Sequence, residues 1–300
     1  MKLLTATLLA ASAACSMGAS AQGEFDGASA FGYVETQVSF GPRVPNTEGH
    51  RRAGDWILEH LRGRADSVEV QAFTHVTSAG DTLQLRNLIA RFRPEVPDRI
   101  LYLAHWDTRP RADQSANMGQ RQLPILGAND GASGVAVLLG VADVLARRPP
   151  AVGVDLVFVD GEDYGDWAAR DDVLLGSRHY AASLDPSARP LFAVVWDMVG
   201  DRDLEIFQER HSAVRAPEVV ERVWSRAGEL GYGRFFRPSV LHSMVDDHIP
   251  LLDVGVRAID VIDFDYGPNN AYWHTTDDTL DKVSAESLKI VGDVAVALLR

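Results

Sequence analysis

Acidic and histidine residues repeatedly follow short apolar runs in this sequence, and such side chains can bind metal ions or transfer protons. The four segments are His105-Trp106-Asp107, Asp160-Gly161-Glu162-Asp163, Trp196-Asp197 and Ile262-Asp263. A single acid after a strand is usually a solvated turn residue. The evidence for a site is that such acids follow several strands. Because sites in open α/β sheets form outside the carboxyl ends of the strands, we expect these side chains to converge on one rim.

Five histidine and aspartate positions are candidate metal ligands. Catalytic zinc takes nitrogen and oxygen donors from such side chains and keeps one coordination position open. The only cysteine, Cys15, lies in an apolar N-terminal stretch, so a cysteine-based structural site is excluded from the folded domain. Asp130 stands among small residues before a predicted helix, where glycines let the backbone approach a metal closely. The candidates are His105, Asp130, Asp163, Asp197 and His274.

The adjacent acids Glu162 and Asp163 suit two different tasks. Beyond the end of a strand, neighbouring side chains can point in different directions, so one can bind a metal while the other stays free as a base. A free carboxylate near a cation in a partly apolar pocket can have a pKa suited to proton transfer. Two solvated loop acids are the plain alternative, and the strongly apolar run before them argues against it.

Alternating strand and helix patterns must position these residues. Apolar runs predict strands over residues 85–92, 100–104, 154–159, 192–196 and 258–262. Amphipathic stretches predict helices over residues 49–62, 134–147, 176–183, 217–230 and 284–299. Continuous apolar strands are typical of a sheet covered on both faces. The sequence therefore predicts a single α/β domain whose mixed, largely parallel central sheet has helices on both faces.

The first residues indicate export. Lys2 precedes an apolar run that ends in small residues at 19–21, which is typical of a secretory signal peptide. We therefore expect a signal peptide at residues 1–21, a catalytic domain at 22–300, and a periplasmic or secreted protein. Lipid attachment at Cys15 is the second reading of the same segment. No other apolar stretch is long enough to predict a transmembrane helix.

The net charge of −13 argues against nucleic acid as a partner, because phosphate backbones need basic patches. Solubility alone can explain the acidity.

The order of the motifs resembles a known superfamily. The series His-x-Asp, Asp-Gly-Ala-Ser-Gly, Asp-Gly-Glu-Asp, Trp-Asp-Met-Val-Gly and Trp-His-Thr is similar to the zinc aminopeptidases. Within that superfamily, the chain looks more like the glutaminyl-peptide cyclotransferases. The segments Gly-Ser-Arg-His at 176–179 and Asp-Asp-His-Ile-Pro-Leu at 246–251 favour this branch. The resemblance runs from about residue 40 to the C-terminus.

The resemblance implies one zinc ion (Zn²⁺) held by Asp130, Asp163 and His274. It implies Glu162 as the general acid/base, with Asp197 and Asp246 in an acid network beside it. Asp163 departs from the pattern, since many relatives carry glutamate there, and its shorter side chain must reach the metal through a slightly shifted loop.

Two tryptophans are candidate pocket residues. The resemblance suggests that Trp273 flanks the substrate amide, whereas Trp167 is either pocket wall or a structural aromatic. Of the remaining histidines, we expect His248 either to be structural or to support the residues of the site, and we expect His50, His60, His75 and His211 to lie at the surface.

The implied reaction converts the N-terminal glutamine of a peptide or protein to pyroglutamate with release of ammonia. A two-zinc aminopeptidase is the alternative, because His105 and Asp197 could hold a second ion with Asp130. In the cyclase reading His105 and Asp107 need only support the other ligands. A non-catalytic binding module of the same fold is a more remote alternative.

Overall fold

The structure is a computed structural model that describes residues 24–300. The predicted signal peptide, with Cys15, lies outside the described residues. Between residues 24 and 300, none of the helices combines the length and the apolar character that crossing a membrane requires.

A six-stranded mixed sheet forms the centre of the described chain. Its strand order is β1-β2-β4-β3-β5-β8, and β2 is the strand that runs antiparallel to its neighbours. A second, two-stranded sheet pairs β6 with β7 in parallel. The strands are β1 Ser67–Val76, β2 Thr82–Phe92, β3 Arg99–His105, β4 Gly153–Val159, β5 Phe192–Asp197, β6 Ile206–Gln208, β7 Phe236–Val240 and β8 Ala258–Ile262.

Helices cover both faces of the central sheet, as the sequence predicts. They are α1 Gly27–Ser39, α2 Glu48–Arg62, α3 Ala132–Arg147, α4 Leu175–Ser183, α5 Arg210–Arg215, α6 Pro217–Glu229, α7 His248–Asp253 and α8 Ala285–Ala297. One face packs against α1, α2, α3, α6 and α8, and the opposite face packs against α4 and α7.

Strand β3 shows why the predicted strands are continuously apolar. Tyr102 points into the larger helix layer, where its hydroxyl donates to the carbonyl of Ala295 at 2.7 Å. Leu101 and Leu103 point into the layer of α4 and α7. Burial of each such side chain contributes about 1.5–3 kcal/mol, so both faces of the strand favour the same position in the sheet.

The predicted strands and helices all occur, with ends shifted by a few residues. Other elements were not predicted from the sequence: β1, β6, β7, α1, α5 and α7. Strand β1 is an edge strand whose side chains are half-buried or exposed, so it has no apolar run. Helices α5 and α7 have six residues each, and helices this short depend on tertiary packing rather than on a local pattern.

Candidate active site

Asp130, Asp163 and His274 meet beyond the carboxyl ends of the strands. Each offers one donor atom, and these atoms lie within 4.8 Å of one another. Nε2 of His274 lies 3.4 Å from Oδ2 of Asp163 and 3.5 Å from Oδ2 of Asp130. All three side chains are buried, which places the predicted ligands in one compact cluster.

A second group of donors shares Asp130. It contains His105 and Asp197, again with all donor atoms within 4.8 Å of one another. Nε2 of His105 lies 3.1 Å from Oδ1 of Asp130 and 3.2 Å from Oδ1 of Asp197. The two oxygens of Asp130 therefore face different partners, with Oδ1 toward His105 and Oδ2 toward His274.

The loop before α3 holds Asp130 through its backbone. The N–H groups of Asn129 and Asp130 donate to Asp278 at 2.8 and 3.2 Å. Burial and the nearby Asp130 raise the pKa of Asp278 to about 7. A Cβ on Gly131 would lie 2.4 Å from the carbonyl oxygen of His105, so this close approach requires glycine.

Arg109 and Trp167 orient Asp163. Both donate to Oδ1 of this carboxylate, at 2.8 Å each. The other oxygen, Oδ2, has no hydrogen-bond partner among residues 24–300 and faces His274. Arg109 and Asp278 are site residues that the sequence analysis missed, since neither belongs to a motif and their partners are distant in the chain.

The first cluster fits a divalent metal ion. Oδ2 of Asp130 and Oδ2 of Asp163 are buried and unpartnered within the described part of the chain. Burial lowers the pKa of His274 to about 3, so its imidazole is neutral at pH 7. Neutral imidazole and ionised carboxylates are the forms that bind zinc, so a bound ion would also have to displace the proton that burial favours on Asp163, whose pKa is raised. A cation at this point would also compensate buried negative charge, which is costly without a partner.

His105 differs from His274 in protonation. Burial lowers the pKa of His105, but the surrounding carboxyl groups raise it well above its usual value overall. Its ring already hydrogen-bonds to Asp197. A protonated imidazole cannot bind a metal. In the second donor group His105 and Asp197 are already hydrogen-bonded to each other, whereas the facing Oδ2 atoms of Asp130 and Asp163 in the first group have no partner among residues 24–300.

Asp107 fixes the loop that carries the paired acids. Its two carboxylate oxygens accept from the N–H groups of Glu162 and Asp163, at 3.0 and 3.2 Å. The Glu162 side chain is 6% exposed and lines the pocket. Burial raises its pKa well above the usual value, and the charges of Asp163 and Asp246 add to this rise. The raised pKa makes Glu162 a stronger proton acceptor than an ordinary carboxylate, which is the property that a general base needs.

Asp246 and Asp247 lie in the same buried acidic region as Glu162. Burial raises the pKa of Asp246 to about 8, and Asp197 and Asp247 contribute to that rise. Burial also raises the pKa of Asp247 to about 7. Carboxyl groups this close cannot all ionise, so they share protons. Asp260 on β8 extends this region, and burial raises its pKa well above the usual value.

The pocket above these residues is small and has aromatic walls. Its volume is about 180 Å³. A cavity smaller than the usual pocket for a drug-sized ligand suits a single residue of a peptide. Trp273 stacks on His274 with ring centroids 3.9 Å apart, and Phe264 packs edge-on against Trp273. Trp167 lines the pocket as well as donating to Asp163, so it has both of the roles considered for it.

Two of the acids after strands serve other contacts. Asp263 accepts from the backbone N–H groups of Glu205 and Asp265, which orders the loops beside the pocket. Asp160 accepts from Nε2 of His50 at 2.8 Å. Acids and a histidine at the ends of β3, β4 and β5 therefore meet on one rim as predicted, but not every acid of the four segments belongs to the site.

The prediction that His50 lies at the surface is wrong. His50 is 2% exposed, and its ring stacks on Trp106 with centroids 4.3 Å apart. It shares one face of α2 with Ile57 and Leu61, and this helical spacing could have revealed its burial. The His60 side chain is also largely covered, at 7% exposed, beside Asp143.

His75 and His211 are partly exposed, as expected. His248 is fully buried, and its Nε2 lies 3.3 Å from Oε2 of Glu209. Glu209 also accepts from the N–H of Met244 at 3.1 Å, in the segment that leads to Asp246. His248 therefore has a structural position, in agreement with the prediction.

This chain has the fold of the zinc exopeptidase-like proteins: a mixed α/β sheet with a buried carboxylate–histidine cluster at its strand ends. The model of peptidase family M28 matches residues 87–299, and the chain belongs to this family. The crystal structure of the glutaminyl cyclase of Tannerella forsythia is similar, with a TM-score of 0.87 and 38% identity. That similarity covers 92% of this chain and 98% of the other.

The chain is similar both to a zinc-dependent exopeptidase and to a glutaminyl-peptide cyclotransferase. A Zn-dependent exopeptidase from Parabacteroides distasonis has a TM-score of 0.88 and 34% identity, covering 93% of this chain and 99% of the other. The glutaminyl-peptide cyclotransferase of Drosophila melanogaster is 26% identical over 83% of this chain and 75% of its own length.

Proposed function

We propose that this protein is a zinc-dependent glutaminyl-peptide cyclotransferase. Its substrates are peptides or proteins with N-terminal glutamine, and its products are the pyroglutamyl peptide and ammonia. The observation that carries the proposal is the difference between the two donor groups. Oδ2 of Asp130 and Oδ2 of Asp163 face the neutral imidazole of His274 without a hydrogen-bond partner among residues 24–300, whereas His105 is already hydrogen-bonded to Asp197.

Asp130, Asp163 and His274 would hold one zinc ion. When bound, zinc supplies Lewis-acid polarisation of a carbonyl group. Arg109 and Trp167 keep Asp163 oriented for this task, and Asp278 does the same for the Asp130 backbone.

Glu162 moves the proton in this reaction. The bond that forms joins the α-amine nitrogen to the side-chain amide carbon, and the bond that breaks releases the amide nitrogen. Glu162 accepts a proton from the attacking amine and returns it to the leaving nitrogen, which departs as ammonia. Its raised pKa suits both halves of this transfer. Asp246 and Asp197 hold the shared protons of the surrounding carboxyl groups.

The aromatic walls restrict the reacting geometry. Both reacting groups belong to one residue, so the enzyme has to fold that residue onto itself and exclude water. The small cavity between Trp167 and Trp273 is suited to this task. Intramolecular attack in a confined pocket needs no activated water, which hydrolysis does need.

A two-zinc aminopeptidase is the second candidate. The observation that favours it is the second donor group, in which His105, Asp130 and Asp197 bring their atoms within 4.8 Å of one another. The name of the Parabacteroides relative also supports it. In this reaction Glu162 would activate a water molecule for hydrolysis.

Paired substrates separate the two candidates. The purified protein is incubated with a glutaminyl peptide and with the matching leucyl peptide, and the masses of the products are measured by mass spectrometry. We expect the glutaminyl peptide to lose one ammonia and the leucyl peptide to remain intact. Release of free leucine would contradict the proposal. Peptide incubated without the protein controls for spontaneous cyclisation.

We also propose export, with a signal peptide at residues 1–21. The support is the sequence pattern alone. Mass spectrometry of the mature protein checks it: the expected chain begins at Gln22 and is lighter by one ammonia, since Gln22 would itself be a substrate. A chain beginning at Met1 or at a lipidated Cys15 would contradict it.

A further inference from the structure

A groove lies beside the catalytic pocket, between helices α4 and α7. Its volume is about 390 Å³, and it shares two wall residues, Arg170 and Val245, with the pocket. Because the same side chains border both cavities, the groove adjoins the pocket that would hold the first residue of a peptide.

The floor of the groove is apolar. Leu174 and Ala182 supply apolar surface, and Arg178 stands between them at the same helical spacing from the N-cap of α4 onward, so all three face the same side. Ile249 and Pro250 form the facing wall on α7. The stretch from Leu174 to Ala182 spans about 12 Å at the rise of an α-helix. That length matches roughly three to four residues of extended peptide.

Two guanidinium groups border this floor without a carboxylate partner. Arg170 and Arg178 are exposed, and neither has a carboxylate oxygen within 4.0 Å among residues 24–300. The acid that lines the same groove, Asp253, is already paired with Arg215 at 2.9 Å. The groove therefore has uncompensated positive charge, although the chain as a whole carries a net charge of −13.

We propose that this groove binds the residues that follow the N-terminal glutamine, and that Arg170 and Arg178 select peptides with acidic side chains there. The inference rests on the proposed function, because the pocket must hold the first residue. The backbone of the peptide lies along the apolar floor, and its carboxylates pair with the two guanidinium groups.

Matched peptides test this preference. Gln-Ala-Glu-Ala-amide and Gln-Ala-Lys-Ala-amide differ in the charge of one side chain, and their amide ends carry none. At about 0.02 M salt we expect kcat/KM to be about three- to tenfold higher for the Glu peptide. At about 0.5 M salt the ratio should approach one, because exposed charges are then screened. The acidic chain as a whole repels the Glu peptide at long range. A preference for that peptide would therefore arise from local contacts.

Charge reversal tests the residue assignment. Arg178→Glu should bring the Glu/Lys ratio below one, and Arg178→Gln should give an intermediate value. Both peptides are measured on the same sample, so partial misfolding cancels in the ratio. Arg62→Glu is the matched control, because it changes the net charge of the protein by the same amount as Arg178→Glu. Arg62 is exposed on α2, in the opposite helix layer. This variant should keep the wild-type ratio.

Three results would overturn the inference. A wild-type ratio within twofold of one at low salt would overturn it, as would a ratio that Arg178→Glu leaves unchanged. An equal change in the Arg62→Glu control would assign the preference to net charge instead. Failure of every glutaminyl substrate to cyclise would overturn the proposed function together with this inference, whereas cyclisation without preference overturns the inference alone.

Discussion

Nε2 of His105 lies 3.2 Å from Oδ1 of Asp197 and hydrogen-bonds to it. A second metal ion beside Asp130 would have to replace this hydrogen bond and remove a proton from a histidine whose pKa is raised. In the cluster that contains His274, Oδ2 of Asp130 and Oδ2 of Asp163 have no hydrogen bond to break within residues 24–300, and the only proton to displace is that of Asp163, whose pKa burial raises. The contrast between these two histidines is the structural basis for expecting a single zinc ion.

The number of zinc ions bound per chain tests this expectation. We expect close to one zinc per chain in protein purified without chelator, as measured by plasma mass spectrometry. His274→Ala should lose the metal, because one of three protein ligands is removed, whereas His105→Asn should retain it. Two zinc ions in the wild type, with one lost in His105→Asn, would instead favour the aminopeptidase.

Glu162→Gln tests the proton-transfer role. The amide keeps the shape of the side chain but cannot accept a proton, so kcat should fall by about 10²–10⁴-fold. Zinc content should be unchanged, since Glu162 is not among the proposed ligands. Ammonia release measures the rate, and Glu286→Gln, at an exposed position on α8, is the matched control. A Glu162→Gln enzyme with wild-type kcat would exclude this role.

The acids at the strand ends could be predicted because they follow strong apolar runs. Each such run predicts a buried strand, and the end of a parallel strand is where a site forms. The sequence pattern alone therefore assigns His105, Glu162, Asp163 and Asp197 to one region of the fold. The mixed sheet and the two helix layers follow from the same pattern of alternating strands and helices.

The residues that hold these acids could not be predicted in the same way. Arg109 contacts Asp163 across 54 positions of the chain, and Asp278 contacts the Asp130 backbone across 148. Pairings at such separations depend on how loops meet in three dimensions, and a single sequence contains no local signal for them. His50 is different, because its helical spacing with buried residues on α2 is visible in the sequence.

Glu209 should make stability depend on pH. Burial raises its pKa, but the contact with His248 and the N–H donors of His211 and Ser212 lower it to about 2 overall. An unfolded glutamate has a pKa of about 4.3. Because the folded pKa is the lower one, this stabilisation is present above about pH 4.3 and is lost as pH falls toward 2.

The check is a comparison of urea unfolding for wild type and Glu209→Gln. At pH 7 we expect the variant to be less stable by about 1–3 kcal/mol, and the difference should shrink as pH falls through 4 toward 2. Glu221→Gln, an exposed position on α6, should show no such trend. A difference that stays constant between pH 7 and pH 3 would contradict the assignment.

His50 connects the loop after β3 with the loop after β4. Its ring stacks on Trp106, and its Nε2 is 2.8 Å from Oδ1 of Asp160, two residues before Glu162. His50→Phe should keep the stacking but leave a buried carboxylate oxygen without this donor, at a cost of about 1–3 kcal/mol. His50→Ala also removes the stacking and should cost about 0.5–1.5 kcal/mol more.

Urea unfolding at pH 7 measures both changes, and a second histidine–aspartate pair provides the control. His75 lies 2.6 Å from Asp172 in the same way, but its side chain is 31% exposed. Since water can replace a hydrogen bond at the surface, His75→Phe should cost less than about 1 kcal/mol. Equal losses for His50→Phe and His75→Phe would show that burial of the His50–Asp160 pair contributes nothing to stability.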